Sequence, residues 1–172
     1  MNVFLVGPMG SGKSAVGRQL AQRLDLDFID SDAEIEARTG VDIAYIFERE
    51  GEAGFRSREA EVLDAISRRD GVLVSTGGGA ILDAGTRERL RTRGRVVYLR
   101  TSVDQQLART RRSNDRPLLN NDDPRGTLER LYERRAPLYI AVAEFVVDTD
   151  GRKVKAVVDQ ICQRLGVDWL EP

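Results

Sequence analysis

The chain has 172 residues, of which 41% are hydrophobic and 32% charged, a composition typical of a globular domain with a substantial core. Its 27 basic and 28 acidic residues leave a net charge of −1, which gives no electrostatic reason to expect a nucleic-acid or membrane partner. The absence of histidine excludes a histidine base or metal ligand, and the single cysteine excludes an internal disulfide and suits the reducing cytoplasm.

Short apolar runs alternate with amphipathic segments along the chain. In chain order, the predicted elements are a strand at 2–6, a helix at 16–24, a strand at 28–30, helices at 33–38, 43–48 and 55–66, a strand at 72–74, a helix at 86–91, a strand at 96–99, helices at 103–110 and 127–133, a strand at 145–147 and a helix at 154–165. The first run lacks the basic flank of a signal peptide, and no run has the length of a membrane span. The alternation predicts an α/β fold with a parallel sheet covered on both faces.

Two stretches depart from this alternation. Residues 31–69 are helical without a strand, and residues 111–123 are polar and irregular. Insertions of this kind lie over the carboxyl end of the sheet, where ligands bind. We therefore predict a substrate-binding insertion at 31–69 and a lid at 111–123. Both belong to a single domain, 1–172, and the core of this domain consists of residues 1–30, 70–110 and 124–172.

The segment GPMGSGKS at 7–14 matches the pattern G-x-x-x-x-G-K-S and lies between a predicted strand and a predicted helix. The backbone N–H groups of such a loop and of the helix it opens bind phosphate oxygens. The groups concerned belong to Gly10, Ser11, Gly12, Lys13, Ser14 and Ala15. Lys13 also supplies an ammonium for the β- and γ-phosphates, and Ser14 a hydroxyl for Mg²⁺. The loop predicts ATP binding and phosphoryl transfer but does not identify the acceptor.

Polar and flexible residues follow the next two strands. Asp30 is a candidate Mg²⁺ ligand through water and Asp32 a candidate acceptor for a substrate hydroxyl, although one of them would alternatively cap the helix that follows. Gly77, Gly78 and Gly79 form either a nest of N–H groups facing a ligand or a flexible turn. Because three glycines lose much conformational entropy on folding, close approach to the backbone is the better explanation.

Several strings together resemble the shikimate kinase family from end to end. They are GPMGSGKS at 7–14, FIDSD at 28–32, FR at 55–56, GGGA at 77–80, RPLL at 116–119 and RRAPLY at 134–139. The resemblance implies a P-loop NTPase fold of three α/β/α layers, with a five-stranded parallel sheet in the order 2-3-1-4-5. It also implies a monomeric enzyme of chorismate and aromatic amino-acid biosynthesis, which transfers the γ-phosphoryl group of ATP to the 3-hydroxyl of shikimate.

The resemblance assigns the substrate side of the site to residues that spacing alone does not single out. Arg56 and Arg135 would bind the shikimate carboxylate, which suits the planar fork of a guanidinium. Asp32 would contact the ring hydroxyls and Gly78 the substrate, with Gly77 and Gly79 beside it.

The nucleotide side is assigned in the same way. Arg116 would be a lid residue that closes on the ATP phosphates, and Arg109 and Arg152 would line the adenine. Ser14 and Asp30 would hold Mg²⁺. The catalytic residues would be Lys13, Asp32 and Arg116.

Two other functions are compatible with the phosphate-binding loop. A kinase for gluconate or a nucleoside monophosphate would share the loop, but the GGGA and RRAPLY strings favour shikimate. A domain that binds ATP only as a sensor or partner module would not need the predicted substrate arginines and lid. Measuring ADP release with several acceptors, and shikimate binding by calorimetry, would separate these alternatives.

Overall fold

The sheet has the predicted number of strands and the predicted order. A computed structural model of the chain describes residues 1–111, 119 and 121–167, so Arg116 and most of the predicted lid lie outside the described residues. The strands are β1 (Val3–Val6), β2 (Asp27–Asp30), β3 (Val72–Ser75), β4 (Arg95–Arg100) and β5 (Phe145–Asp148). They form one five-stranded sheet in the order β2-β3-β1-β4-β5, and every neighbouring pair is parallel.

The helices follow the predicted positions and are generally longer. They are α1 (Lys13–Leu24), α2 (Ser31–Thr39), α3 (Ile43–Ser67), α4 (Ala84–Arg93), α5 (Val103–Thr110), α6 (Pro124–Val142) and α7 (Val154–Leu165), with a short 3₁₀ turn at Ala80–Leu82. The predicted helices at 43–48 and 55–66 are the two parts of α3, which is interrupted at Gly51 because that residue has a φ of 72°. Within the described residues, no helix has the combination of length and apolar character needed to cross a bilayer.

Each face of the sheet packs against its own layer of helices, as the period of two along the strands requires. In β1, Val3 and Leu5 belong to the core shared with α1 and α7. Phe4 and Val6 belong to the opposite core, shared with α2, α3, α4 and α6. All four side chains are fully buried. The result is the expected three-layer α/β/α arrangement.

The register of the strands brings the predicted ligand-binding segments to one edge of the sheet. Leu5 of β1 lies opposite Ser75 of β3, and Asp30 of β2 lies opposite the same Ser75. The loop 7–12, the start of α2 and the glycine run 77–79 therefore leave the sheet side by side at its carboxyl end. Residues 31–71 contain the helices α2 and α3 and no strand. The role of 31–69 as a substrate-binding insertion stays a prediction.

Candidate active site

The loop between β1 and α1 has a conformation that its glycines make possible. Gly7 has a φ of 151°, and a β-carbon there would lie 2.6 Å from the carbonyl oxygen of Leu99. Gly12 has a φ of 85° and forms the N-cap of α1, where no described side chain caps the helix. The first N–H groups of α1 therefore open into the curl of the loop, which is the geometry that binds phosphate.

The ammonium of Lys13 lies inside this curl. Its Nζ donates to the carbonyl oxygens of Gly7 and Pro8, both at 2.7 Å, and to Oγ of Ser11 at 3.3 Å. The side chain is buried, so the loop holds a desolvated positive charge among inward-facing backbone groups. This arrangement suits an anionic ligand of high charge.

The structure places the two predicted adenine-side arginines differently. Arg109 donates from Nη1 to the carbonyl oxygen of Gly10 at 2.9 Å and so lies directly on the phosphate-binding loop. Arg152 bonds instead around the start of α7, to the carbonyl oxygen of Asp148 at 2.9 Å and to Oε1 of Gln160 at 2.5 Å. Their contribution to adenine binding stays a prediction.

Asp30 caps the helix that follows it, which the sequence left as an alternative to metal binding, and its role toward Mg²⁺ stays a prediction. Its Oδ1 accepts from the N–H groups of Asp32, at 3.0 Å, and Ala33, at 3.1 Å, and so caps α2. The capped helix begins at Ser31, two positions before the predicted start. Its Oδ2 accepts from the hydroxyl of Ser14 at 2.8 Å. The cap therefore fixes a carboxylate oxygen beside the hydroxyl of the phosphate-binding loop.

The glycine run 77–79 lies where two acidic side chains converge. A β-carbon at Gly77 would lie 2.6 Å from Oε2 of Glu59 and 2.9 Å from Oδ1 of Asp32. None of the three glycines has a positive φ. Close packing of Glu59 and Asp32, and not backbone strain, therefore explains the absence of a side chain at Gly77. That the N–H groups of the run face a ligand stays a prediction.

Two guanidinium groups approach the same run. A β-carbon at Gly79 would collide with the guanidinium of Arg56. One at Gly78 would lie 3.5 Å from Nη1 of Arg135 and 3.4 Å from the backbone nitrogen of Met9 in the phosphate-binding loop. The glycine run is thus the place where the arginines from α3 and α6 meet the phosphate-binding loop.

Two of the four charged groups around the run, Glu59 and Arg135, are buried at a cost in free energy. Burial raises the pKa of Glu59 above its ordinary 4.5, although its hydrogen bond with Arg56, 2.8 Å from Nη1 to Oε1, opposes the shift. Burial also lowers the pKa of Arg135, and the neighbouring positive charge of Arg56 lowers it further. Nε of Arg56, Nε of Arg135 and Oε2 of Glu59 have no hydrogen-bond partner within the described residues. Desolvated charges with unused hydrogen-bonding capacity are typical of a functional site.

Known proteins identify the family to which this arrangement belongs. A family model described as "Shikimate kinase" matches residues 9–166. The chain belongs to the shikimate kinase family. Among curated members, the shikimate kinase of Alteromonas mediterranea is 54% identical over 166 residues, covering 96% of this chain and 97% of the relative. That of Shewanella frigidimarina is 55% identical over 165 residues, covering 96% of each.

Solved structures agree with this family assignment. The shikimate kinase from Acinetobacter baumannii in complex with shikimate has a TM-score of 0.94 at 46% identity, covering 99% of this chain and 95% of that one. The shikimate kinase from Bacteroides thetaiotaomicron has a TM-score of 0.89 at 31% identity, with coverages of 97% and 99%. A deoxyadenosine kinase from M. mycoides, at 17% identity and a TM-score of 0.64, shares the P-loop kinase fold alone.

Two polar residues of the candidate site were not singled out by the sequence. Glu59 lies on the apolar stripe of α3 with Phe55 and Val62. A carboxylate within an apolar stripe is unusual, and this feature of the sequence could have indicated a functional residue. Tyr139 ends the RRAPLY string, and its hydroxyl donates to the carbonyl oxygen of Gly78. Periodicity alone predicts a core position for both residues. It does not show which group the polar atom of a buried side chain contacts, so it gave no reason to assign either residue to the site.

Proposed function

We propose that the protein transfers the γ-phosphoryl group of ATP to the 3-hydroxyl of shikimate, giving shikimate 3-phosphate and ADP in chorismate and aromatic amino-acid biosynthesis. One observation carries the proposal: the guanidinium groups of Arg56 and Arg135 and the carboxylate of Asp32 converge on the glycine run beside the phosphate-binding loop. A phosphoryl donor and an acidic, hydroxylated acceptor would therefore be bound next to each other.

The charges of the substrate side match such an acceptor. Arg56 and Arg135 supply planar donors for a carboxylate, and burial makes their charge-assisted hydrogen bonds strong. Asp32 supplies an acceptor for ring hydroxyls. Glu59 holds Nη1 of Arg56 at 2.8 Å and so limits the directions that this guanidinium can take. We infer that these groups orient the ring so that one hydroxyl faces the phosphate-binding loop.

Ser14 and Asp30 fit a Mg²⁺ ion that accompanies ATP. A hydroxyl and a carboxylate oxygen 2.8 Å apart are ligands of the kind Mg²⁺ prefers, directly or through water. Mg²⁺ is usually held by one or two protein ligands together with phosphates and water, so these two groups are sufficient. When bound, the ion would neutralise negative charge on the β- and γ-phosphates.

The residues of the chain act mainly by positioning and charge stabilisation, because phosphoryl transfer passes through a loose transition state. The loop amides and Lys13 bind the phosphates in line with the acceptor. Asp32 orients the attacking hydroxyl, and a strong base is not needed because the transition state is loose. Arg116, which the family resemblance identifies as a lid residue, would add positive charge at the transferring group and help to exclude water.

We further propose that the enzyme is a cytoplasmic monomer that uses shikimate and ATP and has no nucleic-acid or membrane partner. The near-zero net charge and the single buried cysteine support this proposal. We also propose that 31–69 acts as the substrate-binding insertion and 111–123 as the lid.

The direct test is a coupled assay of ADP release from Mg·ATP with shikimate, gluconate or a nucleoside monophosphate as acceptor. We expect release that depends on shikimate and is lost in Lys13→Met. ADP release that depends on gluconate or on the nucleoside monophosphate would show that this acceptor, and not shikimate, is the substrate. ATP binding without acceptor-dependent release, together with no calorimetric response to shikimate, would indicate a sensor and contradict the proposal.

A further inference from the structure

The side chain of Tyr139 links α6 to the glycine run. It is 2% exposed, and its hydroxyl donates to the carbonyl oxygen of Gly78. Arg135 precedes it by four positions, so the two side chains lie on the same face of α6. The helix α6 therefore contributes both the guanidinium of Arg135 to the proposed substrate site and a hydrogen bond to the backbone of the glycine run.

This hydrogen bond fixes a backbone segment that has little stiffness of its own. Three glycines in succession have wide conformational freedom, so contacts from outside must hold the run. Ser31 accepts from the N–H of Gly77 at 3.0 Å, and the carbonyl oxygens of Gly77 and Gly79 accept from the 3₁₀ turn, each at 3.1 Å. Tyr139 engages the remaining carbonyl, that of Gly78. Without it, the middle of the run would be held only through its neighbours.

The orientation of one peptide plane depends on this contact. The carbonyl of Gly78 and the N–H of Gly79 belong to the same planar unit and point in opposite directions. A donor that fixes the carbonyl therefore fixes the N–H. The N–H groups of Gly78 and Gly79 make no hydrogen bond to another described residue. They are available to an anionic or hydroxylated ligand.

The surroundings keep the Tyr139 hydroxyl in place and protonated. Its ring stacks on the buried ring of Tyr98, with centroids 4.9 Å apart and an interplanar angle of 26°. Burial raises the pKa of Tyr139 far above its ordinary 10.0, although the positive charge of Arg135 opposes the shift. The hydroxyl is therefore protonated at neutral pH and is available as a donor.

We propose that Tyr139 is a positioning residue for the shikimate site: its hydroxyl, bound to the carbonyl of Gly78, holds the glycine run against Arg135 in the arrangement that receives the substrate. This inference rests on the proposed function. It assigns to Tyr139 no contact with the substrate and no step of the chemistry. Its effect is on how well shikimate is bound.

The test compares Tyr139→Phe with Tyr98→Phe. Each variant loses one hydroxyl from the same buried pair of rings, but Tyr98 Oη has no hydrogen-bond partner within the described residues. We expect Tyr139→Phe to raise the KM for shikimate about tenfold, with kcat at saturating shikimate and the KM for ATP nearly unchanged, because a buried acceptor loses its donor. We expect Tyr98→Phe to change none of these constants.

The possible outcomes separate this inference from the proposed function. An unchanged KM for shikimate in Tyr139→Phe, or equal increases in both variants, would overturn the positioning role. Absence of shikimate-dependent ADP release in the wild-type protein would instead overturn the proposed function. If Tyr139→Phe does not fold, NMR of the wild-type protein decides. The carbonyl-carbon resonance of Gly78 and the amide resonance of Gly79 must move when shikimate is added, and fixed resonances would contradict the inference.

Discussion

Replacing Arg135 should weaken shikimate binding while leaving ATP binding intact. The guanidinium is 4% exposed and lies 3.5 Å from where a β-carbon at Gly78 would be, so a carboxylate bound there is shielded from water. Arg135→Met keeps most of the stem volume and removes the charge. Hydrogen bonds to charged groups contribute about 1.5–3 kcal/mol, so the KM for shikimate should rise about 10- to 150-fold. Arg56 remains, so binding is weakened and not abolished.

The same substitution should not destabilise the fold. Burial lowers the pKa of Arg135 below its ordinary 12.5, which means that folding works against its positive charge, and the charge of Arg56 adds to this cost. The cost is present at every pH below the pKa of the unfolded arginine, and therefore at neutral pH. Removing the charge should leave the melting temperature unchanged or raise it, as is common when function requires a destabilising group.

Initial rates with shikimate varied at saturating Mg·ATP, and with ATP varied at saturating shikimate, provide the assay, together with thermal unfolding. Arg134→Met is the matched control, because Arg134 is the preceding residue of α6 and is exposed. Equal increases in both KM values would refute the carboxylate role. So would an effect of Arg134→Met as large as that of Arg135→Met, or a fall of several degrees in the melting temperature of Arg135→Met.

Three further substitutions test the remaining parts of the site. Lys13→Met should lower kcat by at least about a hundredfold with an unchanged circular dichroism spectrum, and retained activity would reject the role of the ammonium. Asp30→Asn should keep the cap of α2, because asparagine caps a helix as well as aspartate does. It should nevertheless raise severalfold the Mg²⁺ concentration needed for the half-maximal rate. An unchanged Mg²⁺ dependence would show that Asp30 is not part of the metal site. Burial raises the pKa of Glu59 above 4.5, so the folded protein takes up a proton there and stability falls as the pH rises from that value. In denaturant titrations, the difference in free energy of unfolding between Glu59→Gln and the wild type should therefore increase in favour of Glu59→Gln as the pH rises above 4.5, with the exposed Glu61→Gln as the control.

The sequence predicted the elements of the fold because each one is determined locally. The runs that became β1 to β5 are short and apolar, and the helices carry stripes at the helical period, so tertiary contacts did not need to be known. The strand order came from the family resemblance. Pairing between strands is a property of the whole chain, and hydrophobic periodicity carries no information about which strands are neighbours.

The candidate site was predictable where backbone geometry dictates the residue type. The glycines of the loop 7–12 and of the run 77–79 occupy positions where the conformation is left-handed or where other groups approach closely. Asp30 shows the limit of such reasoning. An aspartate at that position suits both a helix cap and a metal ligand, and only the structure shows that its two oxygens accept from separate partners.

Buried polar residues on helices were the hardest to interpret. Glu59 and Tyr139 occupy core positions by periodicity, and their importance lies in single contacts, with Arg56 and Gly78. The contact of Tyr139 reaches a segment far away in the sequence. Glu59 and Arg56 lie only three positions apart on α3, but this spacing does not distinguish them from the other charged residues of the helix. A pattern within one helix therefore shows that the side chain is buried, but it does not show what the polar atom binds.

The central claim is that the protein phosphorylates one particular hydroxyl of an acid held beside the phosphate-binding loop. The most direct measurement is ³¹P NMR of a reaction containing the purified protein, Mg·ATP and shikimate. We predict a new phosphate monoester that is coupled to the proton on carbon 3 of the ring and forms in step with ADP. Inorganic phosphate as the sole product, or an ester on a different carbon, would contradict the account.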